Sequence, residues 1–245
     1  MNNPHSPKYL KNENSTSIVI FVHGFMGSPI QFERMSNYLY GKGFSTATVL
    51  LPGHGDSALT FTKVKLSDWE EHLKNEIEHF SNYDKIFLVG HSIGGLLCLN
   101  ASVGNKKIKA VAAISSPLKL YIFHPIGLFR KAKLLFQNKN VKNVYKHANN
   151  VKLSPSFIFH FRRSLKHPYS LMEKTKSTLP NIKIPVLIVH SSKDETVAFE
   201  SSKMLEQGLV NSALEVLNLT DSYHAYYTES EEKAIYEAVL NCFSK

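Results

Sequence analysis

The sequence predicts one α/β domain in which a mostly parallel sheet is flanked by helices. Three observations predict it. Apolar runs of strand length recur along the chain. Helical patterns with recognisable start signals lie between them. A glycine-bracketed serine sits where one such run passes directly into a helix.

The strands come first because they carry the clearest signal. Ile18-Val19-Ile20-Phe21-Val22 opens the series, and Ser45 to Leu51 follows. Lys85-Ile86-Phe87-Leu88-Val89, Ala110 to Ile114, Val186 to Val189 and Leu214 to Leu219 complete it. These runs are mostly continuous rather than alternating, as expected of strands covered on both faces in a parallel sheet. Ser28-Pro29-Ile30-Gln31 offers an N-cap, a proline at the first helical position and a glutamine able to close a capping box. Ser67-Asp68-Trp69-Glu70 and Thr228-Glu229-Ser230-Glu231 repeat that box, and Trp69 reads as core packing.

The alternation stops after Ser115-Ser116-Pro117, and nearly seventy residues pass before the strand at Val186. A structureless loop of that length is improbable in a compact domain. Helical patterns run from Pro125 to Phe136 and from Leu165 to Thr178, the second interrupted by Pro168, and Phe157-Ile158-Phe159-His160-Phe161 is too apolar for water. Residues 117–184 therefore read as a helical cap over the carboxyl edge of the sheet, with 1–116 and 185–245 forming the core.

That insertion also holds the excess charge. The whole chain is at +9, but residues 117–184 contain fourteen Lys or Arg and one acid, Glu173, leaving −4 for the remainder. A solvated lysine-rich surface is the favoured reading. The alternative is weak association with an anionic membrane surface, since Arg130, Lys131 and Lys133 interleave with apolar neighbours. No nucleic-acid-binding motif accompanies the charge, so no nucleic-acid partner is expected; the chain is expected to be a monomer or homodimer. Residues 1–17 are polar, and no run approaches the length of a membrane span, which predicts a cytoplasmic protein. Cys98 and Cys242 lie in apolar helical patterns and read as buried, reduced thiols; no spacing suits a metal.

The chemistry centres on Gly90-His91-Ser92-Ile93-Gly94, directly after the 85–89 run and directly before Gly95-Leu96-Leu97. G-x-S-x-G at a strand-to-helix turn lifts the serine hydroxyl above the sheet edge and turns backbone N–H groups toward a developing oxyanion. Serine needs a base, and a histidine late in the chain at the same edge suits that task. His224, in Thr220-Asp221-Ser222-Tyr223-His224, follows the last strand. Asp194, in Ser191-Ser192-Lys193-Asp194-Glu195, follows the preceding one and would hold the imidazole in the needed tautomer. Glu195 is expected to point elsewhere. The 23–27 loop, His23-Gly24-Phe25-Met26-Gly27, predicts the Phe25 N–H as one oxyanion donor and the Ile93 N–H as the other. His23 and Gly24 are expected beside the substrate, with His23 bracing the loop. Pro52-Gly53-His54-Gly55 reads as a supporting wall, and His91 as packing under the elbow. Phe123, Leu128 and Phe129 are the predicted substrate contacts in the cap, with Phe136 and Phe157 further apolar candidates.

With these residues in this order, the chain resembles the α/β-hydrolases, more narrowly the small bacterial carboxylesterases and monoacylglycerol lipases. The resemblance rests on His23-Gly24-Phe25, Pro52-Gly53-His54-Gly55, Gly90 to Gly94, Asp194 and His224, and covers Ile18 to the C-terminus. It implies the α/β-hydrolase fold with a cap between the sixth and seventh core strands, no metal and no organic cofactor. It implies a small-molecule carboxylic ester as substrate, with a short to medium acyl chain or a monoacylglycerol. Thioesters and C–C bonds remain open to the same three residues, as does a ligand- or membrane-binding role for the basic cap. Ser92, in place of a carboxylate, argues against dehalogenase or epoxide hydrolase chemistry.

Overall fold

The structure, a computed structural model, describes residues 3–121, 125–151 and 164–245. A seven-stranded sheet runs through it in the order β1-β3-β2-β4-β5-β6-β7. The strands are β1 Tyr9–Leu10, β2 Ser17–Val22, β3 Ser45–Val49, β4 Lys85–His91, β5 Ile108–Ile114, β6 Val186–Ser191 and β7 Leu214–Leu219. All neighbours are parallel except β1, which pairs antiparallel with β3 through Tyr9–Ala47 and Leu10–Thr46. The six apolar runs become β2 to β7. The added β1 edge strand is too short to show any periodicity.

Two-faced burial explains the continuous apolar composition. Ile18, Ile20 and Val22 of β2 pack into one core layer, and Val19 and Phe21 into the other. In β4, Ile86 and Leu88 join the first layer, whereas Phe87 and Val89 join the second. Helix α3 (Leu66–His79) covers the first layer with Trp69, Leu73 and Ile77, one face at a spacing of one turn. On the other side, α1 (Glu33–Gly41) contributes Met35 and Leu39. The last helix, 229–243, adds Ile235, Val239, Cys242 and Phe243 there. Each such side chain contributes about 1.5–3 kcal/mol when fully buried. Cys98 and Cys242 are free and buried in opposite layers.

The expected capping boxes differ in detail. Ser28 precedes a single 3-10 turn, Pro29–Phe32, and makes no side-chain cap; its hydroxyl donates instead to the Ala148 carbonyl. Helix α3 begins before Ser67, and the Asp68 carboxylate accepts the Lys65 N–H at 2.8 Å. Thr228 is the N-cap of the last helix without a side-chain bond; the Glu231 carboxylate reaches back to the Thr220 and Asp221 N–H groups and the Ser222 hydroxyl.

Short helix α2 (Ala58–Phe61) precedes α3, and α4 (Ile93–Ser102) follows β4. The insertion, expected between the sixth and seventh core strands, follows the fifth strand of this sheet: between β5 and β6 lie α5 (Pro125–Gln137), α6 (Lys139–Ala148) and α7 (Lys166–Thr178). Pro168 sits in the first turn of α7, where its missing N–H costs no helical bond. Helix α8 (Glu200–Gly208) follows β6, and α9 (Glu229–Phe243) closes the chain. Among the described residues, no helix is long and apolar enough to cross a membrane.

Candidate active site

The carboxyl ends of β2, β4, β6 and β7 bring the predicted residues to one edge of the sheet. Ser92 stands between β4 and α4 with φ 55° and ψ −124°, a left-handed backbone that costs a non-glycine residue about 1–3 kcal/mol. Close packing enforces it. A Cβ on Gly90 would lie 2.4 Å from the Gly94 backbone, and one on Gly94 would lie 2.1 Å from the Val22 carbonyl oxygen. The Ser92 N–H donates to the Ile114 carbonyl at 2.8 Å, tying the elbow to β5.

His224 lies in the loop after β7. Its Nδ1 is 2.8 Å from Asp194 Oδ2, so Nδ1–H donates and Nε2 is left as the acceptor. Asp194 Oδ1 accepts the N–H groups of Thr196 at 2.8 Å and Val197 at 2.7 Å. One carboxylate thus caps its own turn and orients the imidazole. Burial acts to raise the Asp194 carboxyl, but the charge and hydrogen bond of His224, with His190 3.7 Å away, carry it below its usual range. Ser92 and His224 line one cavity of about 640 Å³, and the Ser92 hydroxyl makes no hydrogen bond among the described residues.

Phe25 and Ile93 line that cavity beside Ser92. The 23–27 loop is pressed against the elbow: a Cβ on Gly24 would meet His91 Nδ1 and Ser92 Cβ, both at 3.0 Å. Two histidines brace the loop. His23 Nδ1 donates to the Gly24 carbonyl at 2.9 Å, and its Nε2 accepts the Leu51 N–H at 3.1 Å. His54 Nε2 accepts the Met26 N–H at 3.1 Å, while Nδ1 faces the Leu51 and Pro52 carbonyls. Burial holds both rings neutral, His23 well below its ordinary range and His54 at about 4. Asn150, after α6, clamps the same region: its N–H donates to the Met26 carbonyl at 3.0 Å, and its carbonyl accepts the Gly55 N–H at 2.5 Å.

The predicted substrate contacts separate. Gly24 and Leu128 line the cavity. His23 does not: its ring is fully buried and both nitrogens are engaged by backbone, so it is removed from substrate. Phe129 is 70% exposed and is absent from the described cavity lining, because Leu128 and Lys131, three residues apart on α5, hold the inward face. Phe136 is 90% exposed. Phe123 and Phe157 lie outside the described residues. Tyr145 and Thr196, which the sequence did not single out, line the cavity, and so does Lys131, which was expected on the cap surface with Arg130 and Lys133 but turns inward toward Glu195. His91 donates from Nε2 to the His224 carbonyl at 2.8 Å, and burial beside His224 lowers it to about 3.

The family signature described as "Serine aminopeptidase, S33" matches residues 13–231. The chain belongs to this family. Similar proteins include the thermostable monoacylglycerol lipase of Bacillus sp. (strain H-257), 24% identical over 95% of this chain and 92% of the lipase. The carboxylesterase of Bacillus subtilis (strain 168) is 18% identical over 98% and 97%. Among solved structures, the monoacylglycerol lipase of Paleococcus ferrophilus aligns with a TM-score of 0.75 at 21% identity, covering 97% of this chain and 98% of that one. This S33-family chain is a hydrolase of the α/β-hydrolase fold, similar to lipases and esterases.

Proposed function

We propose that the protein hydrolyses small-molecule carboxylic esters through an acyl-Ser92 intermediate. The observation that carries this reading is the Asp194–His224 hydrogen bond beside a strained serine in one shared cavity. His224 Nε2 takes the Ser92 proton as Oγ attacks the ester carbonyl. The Phe25 and Ile93 N–H groups stabilise the tetrahedral oxyanion. The imidazolium, steadied by Asp194, then protonates the leaving alcohol. Water activated by His224 repeats the sequence and frees the acid.

Cavity chemistry favours esters over an aminopeptidase substrate. The described lining includes Lys131 and Lys146 but no Asp or Glu to hold an α-ammonium group. A volume near 640 Å³ suits a short to medium acyl chain, and the similarity to the Bacillus sp. monoacylglycerol lipase supports a monoacylglycerol. In this reading 117–184 is a cap over a core of 1–116 and 185–245. Two buried free cysteines suit a reducing, cytoplasmic compartment. The test is initial rates on p-nitrophenyl esters from acetate to palmitate. Wild type should turn over with an optimum in chain length, and Ser92→Ala should be inactive though folded. A Ser92→Ala preparation as fast as wild type overturns the reading.

One observation favours an added membrane role. Phe129 and Phe136 are exposed on α5, which with α6 carries Arg130, Lys133, Lys139 and Lys142. Binding to anionic vesicles should weaken with salt and fail on zwitterionic ones. Binding indifferent to both leaves the lysines as a solvated surface.

A further inference from the structure

His224 is held by more than its ring. Its carbonyl accepts from His91 Nε2 at 2.8 Å, and its backbone N–H donates to Glu195 Oε2 at 3.1 Å. Two consecutive carboxylates therefore grip one residue, Asp194 by the imidazole and Glu195 by the main chain. Glu195, expected to point elsewhere, instead bonds the backbone of the same histidine.

Glu195 is buried, and a buried carboxylate is costly unless its remaining lone pairs are satisfied. The partners come largely from the insertion. Tyr145 of α6 donates its hydroxyl to Oε1, Thr196 donates at 3.0 Å, and Lys131 Nζ of α5 stands 3.8 Å away. Lys131 also donates to Thr196 Oγ1 at 3.0 Å and lies 4.3 Å over the Tyr145 ring. Burial lowers the Lys131 ammonium while Glu195 and Asp194 oppose that effect, and burial with Glu195 raises the Tyr145 phenol well above its usual range. The carboxylate that fixes the histidine loop is thus completed only when α5 and α6 are in place.

We propose that Glu195 is a positioning residue for His224, and that Lys131 and Tyr145 hold Glu195 in that role. The insertion then sets the geometry of the base as well as walling the cavity. This rests on His224 acting as the base. The groups bonded to His224 are Asp194 and Glu195 from the turn after β6, His91 from the elbow and Tyr227 in its own loop; behind the two carboxylates, His190 of β6 faces Asp194, and Lys131 of α5 and Tyr145 of α6 face Glu195.

The experiment uses the full chain with Glu195→Gln, Tyr145→Phe, Lys131→Met and Lys131→Arg. Two readouts separate positioning from general destabilisation. Amide hydrogen exchange over 222–226 should quicken in Glu195→Gln and Tyr145→Phe while exchange in β2, β4 and β5 stays as in wild type. The acidic limb of kcat/KM should move to lower pH in Glu195→Gln, which removes an anion near the imidazolium. It should move to higher pH in Lys131→Met, which removes a cation. Each shift should be about 0.5 unit, with kcat about tenfold lower in Glu195→Gln. Lys131→Arg should restore the wild-type limb. Should Glu195→Gln not fold, Tyr145→Phe and Lys131→Met carry the test. Unchanged exchange at 222–226, or limbs moving the same way in the two charge-removing variants, overturns the proposal. Hydrogen exchange needs no substrate, so failure of the ester reading, seen with Ser92→Ala, is distinguished from failure of this one.

Discussion

On one side of Ser92 the 23–27 turn is held by two imidazoles, His23 and His54, that bond only backbone and stay neutral. On the other, the 194–197 turn is built from adjacent carboxylates, Asp194 and Glu195, each bonded to His224. Both turns must be rigid, yet their tasks differ. An oxyanion needs N–H groups in a fixed place, and a nearby neutral ring can fix them without adding a charge. A base that becomes cationic in the transition state needs anions beside it. The contrast teaches that one side-chain type, histidine, is scaffold in one turn and, in the proposed mechanism, the base in the other, according to what its two nitrogens touch.

The sharpest way to break the comparison is Asp194→Asn. The shape of the turn should survive, since Oδ1 can still accept the Thr196 and Val197 N–H groups, while the charge facing His224 is lost. A drop in kcat of about 10⁴ with little change in melting temperature is expected. A rate within tenfold of wild type would transfer the acid's role elsewhere.

A smaller effect tests the neutral side. The ordinary histidine value is 6.5, and burial brings His54 to about 4 and His91 to about 3. Below pH 6.5 the unfolded chain takes up protons that the folded one refuses, so stability falls as the pH drops from there toward 4. From His54 alone the loss at pH 5 is on the order of 2 kcal/mol relative to neutral pH, or about 4–8 °C in Tm. Melting curves at pH 7 and pH 5 measure it. An unchanged Tm would mean that these rings take up protons in the fold without cost.

Much of this arrangement is legible in the chain itself, for reasons that vary by residue. The runs at 18–22, 86–89 and 110–114 are continuous because both faces are covered, and composition alone reveals that. Gly90 and Gly94 are forced by backbone contacts under 2.5 Å, so the elbow leaves a short local signature. The Lys131–Tyr145–Glu195 cluster leaves none, because its members come from three elements and meet only after the insertion packs. The adjacency of Glu195 to Asp194 is the one local hint. Phe129 misled because an apolar residue on a helix marks a face only once its neighbours are known. The inward face here is shared by Leu128 and a lysine.

The clamp at Asn150 has a consequence for how the protein is made. The loop that presents Phe25 is bonded to a residue far downstream, and His224 comes later still. During synthesis β2 to β5 and the Ser92 turn are made before Asn150, Asp194 and His224. In the proposed mechanism a chain that has not yet reached His224 carries the serine without its base, so the order of synthesis places the nucleophile before the group that activates it.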